Sequence, residues 1–200
     1  MMSKNINTRK QLSIYLNADM IMNRGVKLSF SEYIKSLIKR DYIMMYLRAL
    51  RKTEYYKDKS NFLYIWNHIW FSKHGRTLGI SIEPGVFKQG LVIPHNGTIV
   101  IGGGNTIGAY CVLHTGVCIT NGNKMIGEGL YCSTGSKIIN DVKIGDNVSI
   151  GANAVVLESV EDDTLVVGIP AKPVKKAVPW YIRDGKEFER RYKLCEDLEN

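Results

Sequence analysis

Residues 101–156 read IGGGNTIGAYCVLHTGVCITNGNKMIGEGLYCSTGSKIINDVKIGDNVSIGANAVV, and an aliphatic residue returns in this stretch at almost every sixth position. The first run is Ile101, Ile107, Leu113 and Ile119; after a one-residue slip the second run is Ile126, Cys132, Ile138, Ile144, Ile150 and Val156. Neither the period of a helix nor the alternation of a long strand gives a constant step of this length. The step fits a short strand followed by a corner, repeated so that three units close one coil of a triangular prism.

A second set of residues supports the same coil. Two positions before most of the repeating aliphatic residues stands a small or β-branched one: Cys111, Val117, Ser136, Val142, Val148 and Ala154. Because side chains alternate along a strand, both sets share one face, which we expect to fill the prism. Glycines directly after several aliphatic positions give the corners the backbone freedom that they need. The sequence therefore predicts a mainly β fold, a parallel β-helix that spans residues 75–176.

Helices are predicted on both sides of this β-helix. Residues 1–74 are predicted to form a helical segment that caps the prism, with a break near Gly25, and residues 177–200 a C-terminal helical extension. An aromatic-rich segment, residues 62–70, must pack on something. Our preferred interpretation is that it covers the open first coil. The alternative is a membrane-adhering face that makes a peripheral membrane contact.

Composition excludes several classes of protein. The 200 residues carry a net charge of +8 and four cysteines, none of them in a CxxC pair. We expect a reducing cytoplasmic location, with Cys111 and Cys132 as small buried residues and no disulfide or metal framework. No apolar run approaches the length of about 20 residues that a membrane span needs, and we expect no signal peptide. No motif for binding nucleic acid is present, so the basic charge is not taken as a sign of nucleic-acid binding.

Three motifs carry a resemblance to a known family. They are LVIPHNGTIVIG at residues 91–102, IGANAVVL at residues 150–157 and VGIPAKP at residues 167–173. Together they resemble the hexapeptide-repeat acyltransferases, in particular the branch like serine acetyltransferase, over about residues 78–176. The N-terminal segment, with YLNAD at residues 15–19 and LRKTEYY at residues 50–56, is more similar to the capsule and O-antigen polysaccharide O-acetyltransferases. The resemblance implies a left-handed parallel β-helix, a homotrimer with sites between neighbouring prisms, and acetyl-CoA as cosubstrate.

His95 is the candidate general base. It lies in the interruption at residues 94–97 and matches the catalytic His of the family, and a neutral imidazole near working pH can remove a hydroxyl proton during attack. The family's imidazole-orienting Asp falls on Ser81, a weaker partner. Glu83, two residues on, is a candidate substitute carboxylate. His114 is a second candidate, either as a residue that binds the acceptor or as an auxiliary base. The alternative is that His114 is only a polar corner residue at the trimer interface.

The resemblance also implies where acetyl-CoA binds. We expect it in the groove between two prisms, with no metal ion. Corner backbone groups at Gly135, Gly151 and Ala152 are expected to bind the pantetheine amides. The adenine would lie along the turn formed by Gly168, Ile169, Pro170 and Ala171, and the phosphates would meet Lys172, Lys175 or Lys176.

The preferred function at this point is acetyl transfer to a sugar hydroxyl of a surface polysaccharide or its precursor. The alternative is serine O-acetyltransferase of cysteine biosynthesis. It is disfavoured because Ser81 and Asn123 stand where that branch has an Asp and a second His, and because no cation is evident for serine's carboxylate. A zinc hydratase that uses His74, His95 and His114, and a non-enzymatic trimeric scaffold, are two further alternatives.

Overall fold

The computed structural model describes residues 6–198; the first five and the last two residues of the predicted terminal segments lie outside it. Four helices come first: α1 (Arg9–Arg24), α2 (Phe30–Ile38), α3 (Tyr42–Tyr56) and α4 (Asn61–Leu78). The predicted break is the C-cap of α1, where Gly25 adopts a left-handed conformation with φ of 77°. Ser29 caps the next helix, since its hydroxyl accepts a hydrogen bond from the backbone N–H of Glu32.

Thirteen strands follow among the described residues. They are β1 (Ile80–Ile82), β2 (Ile99–Ile101), β3 (Thr106–Ile107), β4 (Val112–Leu113), β5 (Cys118–Ile119), β6 (Met125–Ile126), β7 (Tyr131–Cys132), β8 (Lys137–Ile138), β9 (Lys143–Ile144), β10 (Ser149–Ile150), β11 (Val155–Val156), β12 (Thr164–Gly168) and β13 (Ala171–Lys176). Face A has the order β1-β2-β5-β8-β11, face B β3-β6-β9, and face C β4-β7-β10-β12-β13. All neighbours pair in parallel except the antiparallel hairpin β12-β13. The predicted parallel β-helix with flanking helices is confirmed.

The repeat fills the interior as predicted. Every member of the two aliphatic runs is at most 5% exposed, and every one of the small residues two positions earlier is at most 6% exposed. The register stacks equivalent residues on face A, where Ile101 pairs with Ile119 and Ile119 with Ile138. One buried column therefore runs along each face of the prism, which burial of apolar surface stabilises.

The one-residue slip is explained by a buried lysine. Lys124 is fully buried, and its ammonium donates hydrogen bonds of 3.0 and 3.2 Å to the carbonyls of Thr120 and Asn121. The backbone N–H of Lys124 donates to the side chain of Asn105. These bonds satisfy carbonyls that the wider corner takes out of the sheet ladder. The slip is thus a built corner between faces A and B.

The N-terminal helices close the first coil. Tyr46 and Leu50 of α3 and Leu78 of α4 share one core cluster with Ile80 and Ile82 of β1. The predicted cap is therefore made by α3 and the last turns of α4.

A buried arginine links this helical cap to the first coil by ion pairs and hydrogen bonds. The side chain of Arg51, on α3, is 0% exposed and forms ion pairs with Asp19 of α1 and with Glu54. It also donates to the carbonyls of Phe87 and Lys88 in the first coil. Asp19 and Glu54 in turn accept backbone N–H groups of the same coil, at residues 90, 91 and 85. Every buried charge is hydrogen-bonded, as burial requires.

The predicted role of the aromatic segment 62–70 is wrong. Phe62 is 74% exposed, Trp66 55% and Trp70 38%, so these rings do not cover the first coil. Helix α4 presents a different face to the core, because Phe71, Gly75 and Leu78 point inward. Gly75 is required there, since a Cβ would lie 2.7 Å from the carbonyl oxygen of Ile80. The apolar face of residues 62–70 is left open.

The C-terminal helices α5 (Trp180–Arg183) and α6 (Lys186–Glu196) cover part of face C. Trp180 is 2% exposed, and its indole N–H donates a 2.7 Å hydrogen bond to the carbonyl of Tyr110. Val112 of β4 is 2% exposed beneath this segment, so these helices bury part of the outer surface of face C. Within residues 6–198, none of the helices is long and apolar enough to cross a membrane.

Candidate active site

One edge of the prism collects the predicted site residues. The chain leaves face C and turns toward face A at residues 94–98, 114–117, 133–136 and 151–154, and we call this column of corners the C–A edge. His95, His114, Gly135 and both Gly151 and Ala152 lie on it. Because the strands of successive coils pair in register, these corners stack along the edge at about 4.8 Å per coil. Sequence positions 57 residues apart thus line one continuous surface.

His95 stands exposed at the first corner of this edge. The corner is fixed by Gly97, whose N–H donates a 3.1 Å hydrogen bond to the carbonyl of Leu78. Gly97 has a φ of 147°, and a Cβ there would lie 2.6 Å from the methyl carbon of Thr115 in the next coil. Only glycine therefore allows the His95 corner to rest on the coil below. An exposed imidazole on a fixed corner is accessible to a substrate.

His114 lies in the next coil and forms a pair with His95. Their ring centroids are 6.4 Å apart. His114 is half-buried, and its Nε2 shares a 2.8 Å hydrogen bond with the hydroxyl of Tyr131. Burial, and then the neighbouring His95, lower the pKa of His114 from its ordinary value of 6.5. His114 is therefore held as the neutral imidazole at neutral pH.

The structure adds residues that the sequence interpretation missed. Arg183 of α5 stacks on Tyr131, with its guanidinium carbon 4.3 Å from the ring centroid. Its Nε donates a 2.7 Å bond to Asp184, and one terminal nitrogen lies 3.3 Å from the hydroxyl of Ser149. Burial, and then the Asp184 carboxylate, raise the pKa of Tyr131, so the phenol stays protonated. The basic C-terminal tail gave no sequence signal for this contact, which depends on how α5 folds back.

The candidate partners of His95 on β1 are not in contact with it. Ser81 is exposed in the middle of β1, and among residues 6–198 no hydrogen bond joins its side chain, or that of Glu83, to His95. Glu83 follows the far end of the strand, where a Cβ on Gly103 would lie 3.2 Å from its Cγ. It therefore belongs to the corner between faces A and B and does not supply the expected carboxylate in this structure.

The predicted turn for the adenine continues the C–A edge. The turn from Gly168 to Ala171 joins β12 and β13 one coil beyond residues 151–154, which places it about 19 Å from the His95 corner at 4.8 Å per coil. Ile169 is 74% exposed and Pro170 follows it in this turn. Lys172, opposite Val167, is held by Glu158, with 2.9 Å between nitrogen and oxygen. Lys175 and Lys176 are exposed on β13 but lie opposite Leu165 and Thr164, at the end of the hairpin away from the C–A edge.

Two other residues considered in the sequence analysis, Asn123 and His74, lie away from the C–A edge. Asn123, which stands near the second His of the serine acetyltransferase branch, lies on the corner between faces A and B and not beside His95. His74 is buried in α4, where its ring packs against Tyr42 and Trp70. Over the described part of the chain, no group of three or more His, Cys, Asp or Glu side chains is placed to hold a metal ion.

Comparisons with curated proteins find serine acetyltransferases. The serine acetyltransferase of Staphylococcus aureus strain Mu50 is 38% identical over 122 residues, which covers 57% of this chain and 56% of that protein. The one from Staphylococcus epidermidis strain ATCC 35984 is 40% identical over 121 residues, 56% of this chain and 55% of that protein. The chain thus spans little more than half the length of these relatives. No family model matches it.

Solved structures show the same fold. Serine acetyltransferase from Neisseria gonorrhoeae aligns with a TM-score of 0.61 at 24% identity, covering 84% of this chain and 67% of that one. A serine acetyltransferase in complex with CoA aligns with a TM-score of 0.59 at 20% identity, covering 82% and 67%. The relatives and the repeat support the hexapeptide-repeat acetyltransferase superfamily, whereas the polysaccharide-modifying branch finds no support among them.

The predicted sugar acceptor is therefore wrong. The relatives that match at 38 and 40% identity are named for serine as the acceptor. The prediction failed because it took the absence of an Asp at Ser81, of a second His at Asn123 and of a nearby cation as evidence against serine. A cation, Arg183, is present near His114, and only the fold brings it there.

Proposed function

We propose that this hexapeptide-repeat protein is an acyltransferase that moves the acetyl group of acetyl-CoA to the hydroxyl of L-serine. The observation that carries the proposal is the likeness, at 38 to 40% identity, to proteins named serine acetyltransferase. The geometry of the C–A edge supports it, because the exposed imidazole of His95, the neutral imidazole of His114 and the cation Arg183 lie within adjacent coils there.

The chemistry follows from the accessible imidazole of His95. The serine hydroxyl is too weak an acid to attack a thioester unaided, so His95 removes its proton as the oxygen attacks the thioester carbonyl carbon. The carbon–sulfur bond then breaks, and the same imidazole returns the proton to the CoA sulfur. O-acetylserine and the free thiol of CoA are the products. General-base assistance of this kind is worth roughly 10² to 10⁴ in rate.

The carboxylate of serine also finds a partner on this edge. Arg183 keeps 38% of its side chain exposed, and its planar guanidinium suits a carboxylate. Tyr131 and the neutral His114 add a hydroxyl and an imidazole between Arg183 and His95. In this arrangement Arg183 binds the serine carboxylate while His95 accepts the proton of the serine hydroxyl. Asp184, which already pairs with Arg183, balances the charge when the site is empty.

Acetyl-CoA would lie along the C–A edge, with its thioester at His95 and its far end near the turn at residues 168–171. Lys172, which pairs with Val167 next to this turn, is then the phosphate partner once it leaves Glu158, whereas Lys175 and Lys176 lie opposite Leu165 and Thr164 at the other end of the hairpin. We also propose a homotrimer, because the C–A edge alone offers the cofactor one wall. A monomer in light scattering at micromolar concentration would contradict this shared-site arrangement.

The test of function is release of free thiol from acetyl-CoA with and without L-serine. We expect saturable acceleration by L-serine that His95→Ala reduces by at least about a hundredfold. The matched control is His68→Ala, which removes an exposed histidine of α4. If L-serine does not raise thiol release above the hydrolytic background, the proposed acceptor is wrong. If His95→Ala keeps more than a tenth of the turnover, the proposed base is wrong.

A further inference from the structure

The large exposed apolar side chains of this protein are concentrated on two helices. On α2 they are Phe30, Tyr33, Ile34, Leu37 and Ile38, and on α4 they are Phe62, Ile65, Trp66, Ile69 and Trp70. Within each helix they recur at steps of three and four, so they form one stripe per helix. Phe30 is 80% exposed, Ile38 76% and Phe62 74%. We call the two stripes together the helical face.

The two stripes meet across a groove. Tyr33 and Leu37 of α2 form one wall, Trp66 and Trp70 of α4 form the other, and residues 45–49 of α3 lie between them. The groove has a volume of about 180 Å³. The stripes are thus parts of a single surface. Isolated exposed apolar residues need no explanation, but a contiguous surface of this kind is typical of an interaction site.

The helical segment that carries this face has a large net positive charge. Residues 25–79 contain eleven Lys and Arg against four Asp and Glu, a net +7 out of the +8 of the whole chain. Of the four carboxylates, Glu54 is buried against Arg51, Asp41 is paired with Arg24, and Glu32 with Lys35. One cation lies directly beside an aromatic ring of the face: the Nζ of Lys73 is 4.9 Å from the centroid of the Trp70 ring.

We propose that the helical face binds the surface of an anionic lipid bilayer. Tryptophan and tyrosine side chains sit at the level of lipid headgroups, aliphatic side chains enter the acyl region, and lysines meet anionic headgroups. All three components are present on one surface here. A second copy of the chain fits the apolar part but not the charge, because a face-to-face pair would bring together two helical segments that each carry a net positive charge. The proposal does not depend on the acceptor of the acetyl group.

The test is co-sedimentation of the full chain with vesicles. One set consists of phosphatidylcholine alone, and the other of phosphatidylcholine and phosphatidylglycerol in equal parts. We expect binding to the anionic set only, weakened when salt is raised to about 0.5 M. The double variant Ile65→Ser, Ile69→Ser removes two side chains that are each 56% exposed. We expect it to lower the partition coefficient by at least about tenfold.

The matched control is Val174→Ser with Val178→Ser, at positions 60% and 52% exposed on another part of the surface. It should bind vesicles as the wild type does, and both double variants should keep the wild-type melting temperature because the four positions are exposed. Equal binding to both kinds of vesicle, or equal loss in both double variants, would overturn the proposal. So would no vesicle binding combined with self-association that Ile65→Ser, Ile69→Ser abolishes, since the occupant would then be a second copy.

Discussion

Replacing Arg51 should weaken the packing of the helical cap on the β-helix and lower the free energy of unfolding. Its guanidinium is fully buried and makes five hydrogen bonds, two to Asp19, one to Glu54 and two to first-coil carbonyls. In Arg51→Ala these groups lose their donor, and two carboxylates stay buried without their countercharge. Breaking a buried ion pair in this way costs about 3–5 kcal/mol. That is a large part of the about 5–15 kcal/mol that stabilises a typical domain.

The expected change can be measured directly. At about 2–4 °C per kcal/mol for a chain of this size, the melting temperature of Arg51→Ala should fall by about 6–20 °C. The control is Arg24→Ala, because Arg24 makes a similar two-bond pair with Asp41 on the surface, at 36% and 19% exposure. We expect that variant to lose at most about 1 kcal/mol.

A companion variant separates lost charge balance from lost packing. Arg51→Met combined with Asp19→Asn and Glu54→Gln removes all three charges, while the new amides can still accept the backbone N–H groups of residues 85, 90 and 91. We expect it to recover most of the stability that Arg51→Ala loses, as neutral replacements of buried pairs often do. The reasoning is refuted if Arg51→Ala is no less stable than Arg24→Ala in thermal or urea unfolding.

Arg183→Met should raise the KM for L-serine by about tenfold or more, because the carboxylate loses its bidentate partner, and should leave the KM for acetyl-CoA unchanged in steady-state kinetics. An unchanged KM for L-serine would show that Arg183 does not bind the acceptor. Tyr131→Phe breaks the 2.8 Å bond to His114 and should lower kcat/KM for L-serine by about five- to tenfold, with wild-type folding by circular dichroism. Because burial and His95 lower the pKa of His114 below 6.5, the folded state resists protonation there. The stability advantage of the wild type over His114→Gln should therefore shrink as pH falls below 6.5 in thermal melts; a constant difference contradicts the pKa direction.

The repeat determined the prism from sequence alone. A residue such as Ile138 is buried because its neighbours along the chain set a strand and a corner, and the same pattern recurs one coil above and below. That information is local and periodic, so spacing reveals it. The coils differ in length, since Val92 pairs with Val112, Val112 with Tyr131 and Tyr131 with Ser149, so the stacking of the corners along the C–A edge is known from the structure.

Only the tertiary structure decided how the helices meet this prism. Trp180 and Arg183 reach face C because the tail folds back on it, and no periodicity couples residue 183 to residue 131. Helix α4 is apolar on more than one face, so the sequence could not tell that Phe71 points inward while Trp66 stays open. The acceptor prediction failed for the same reason. Contacts between distant segments depend on packing, and the order of residues along the chain does not display them.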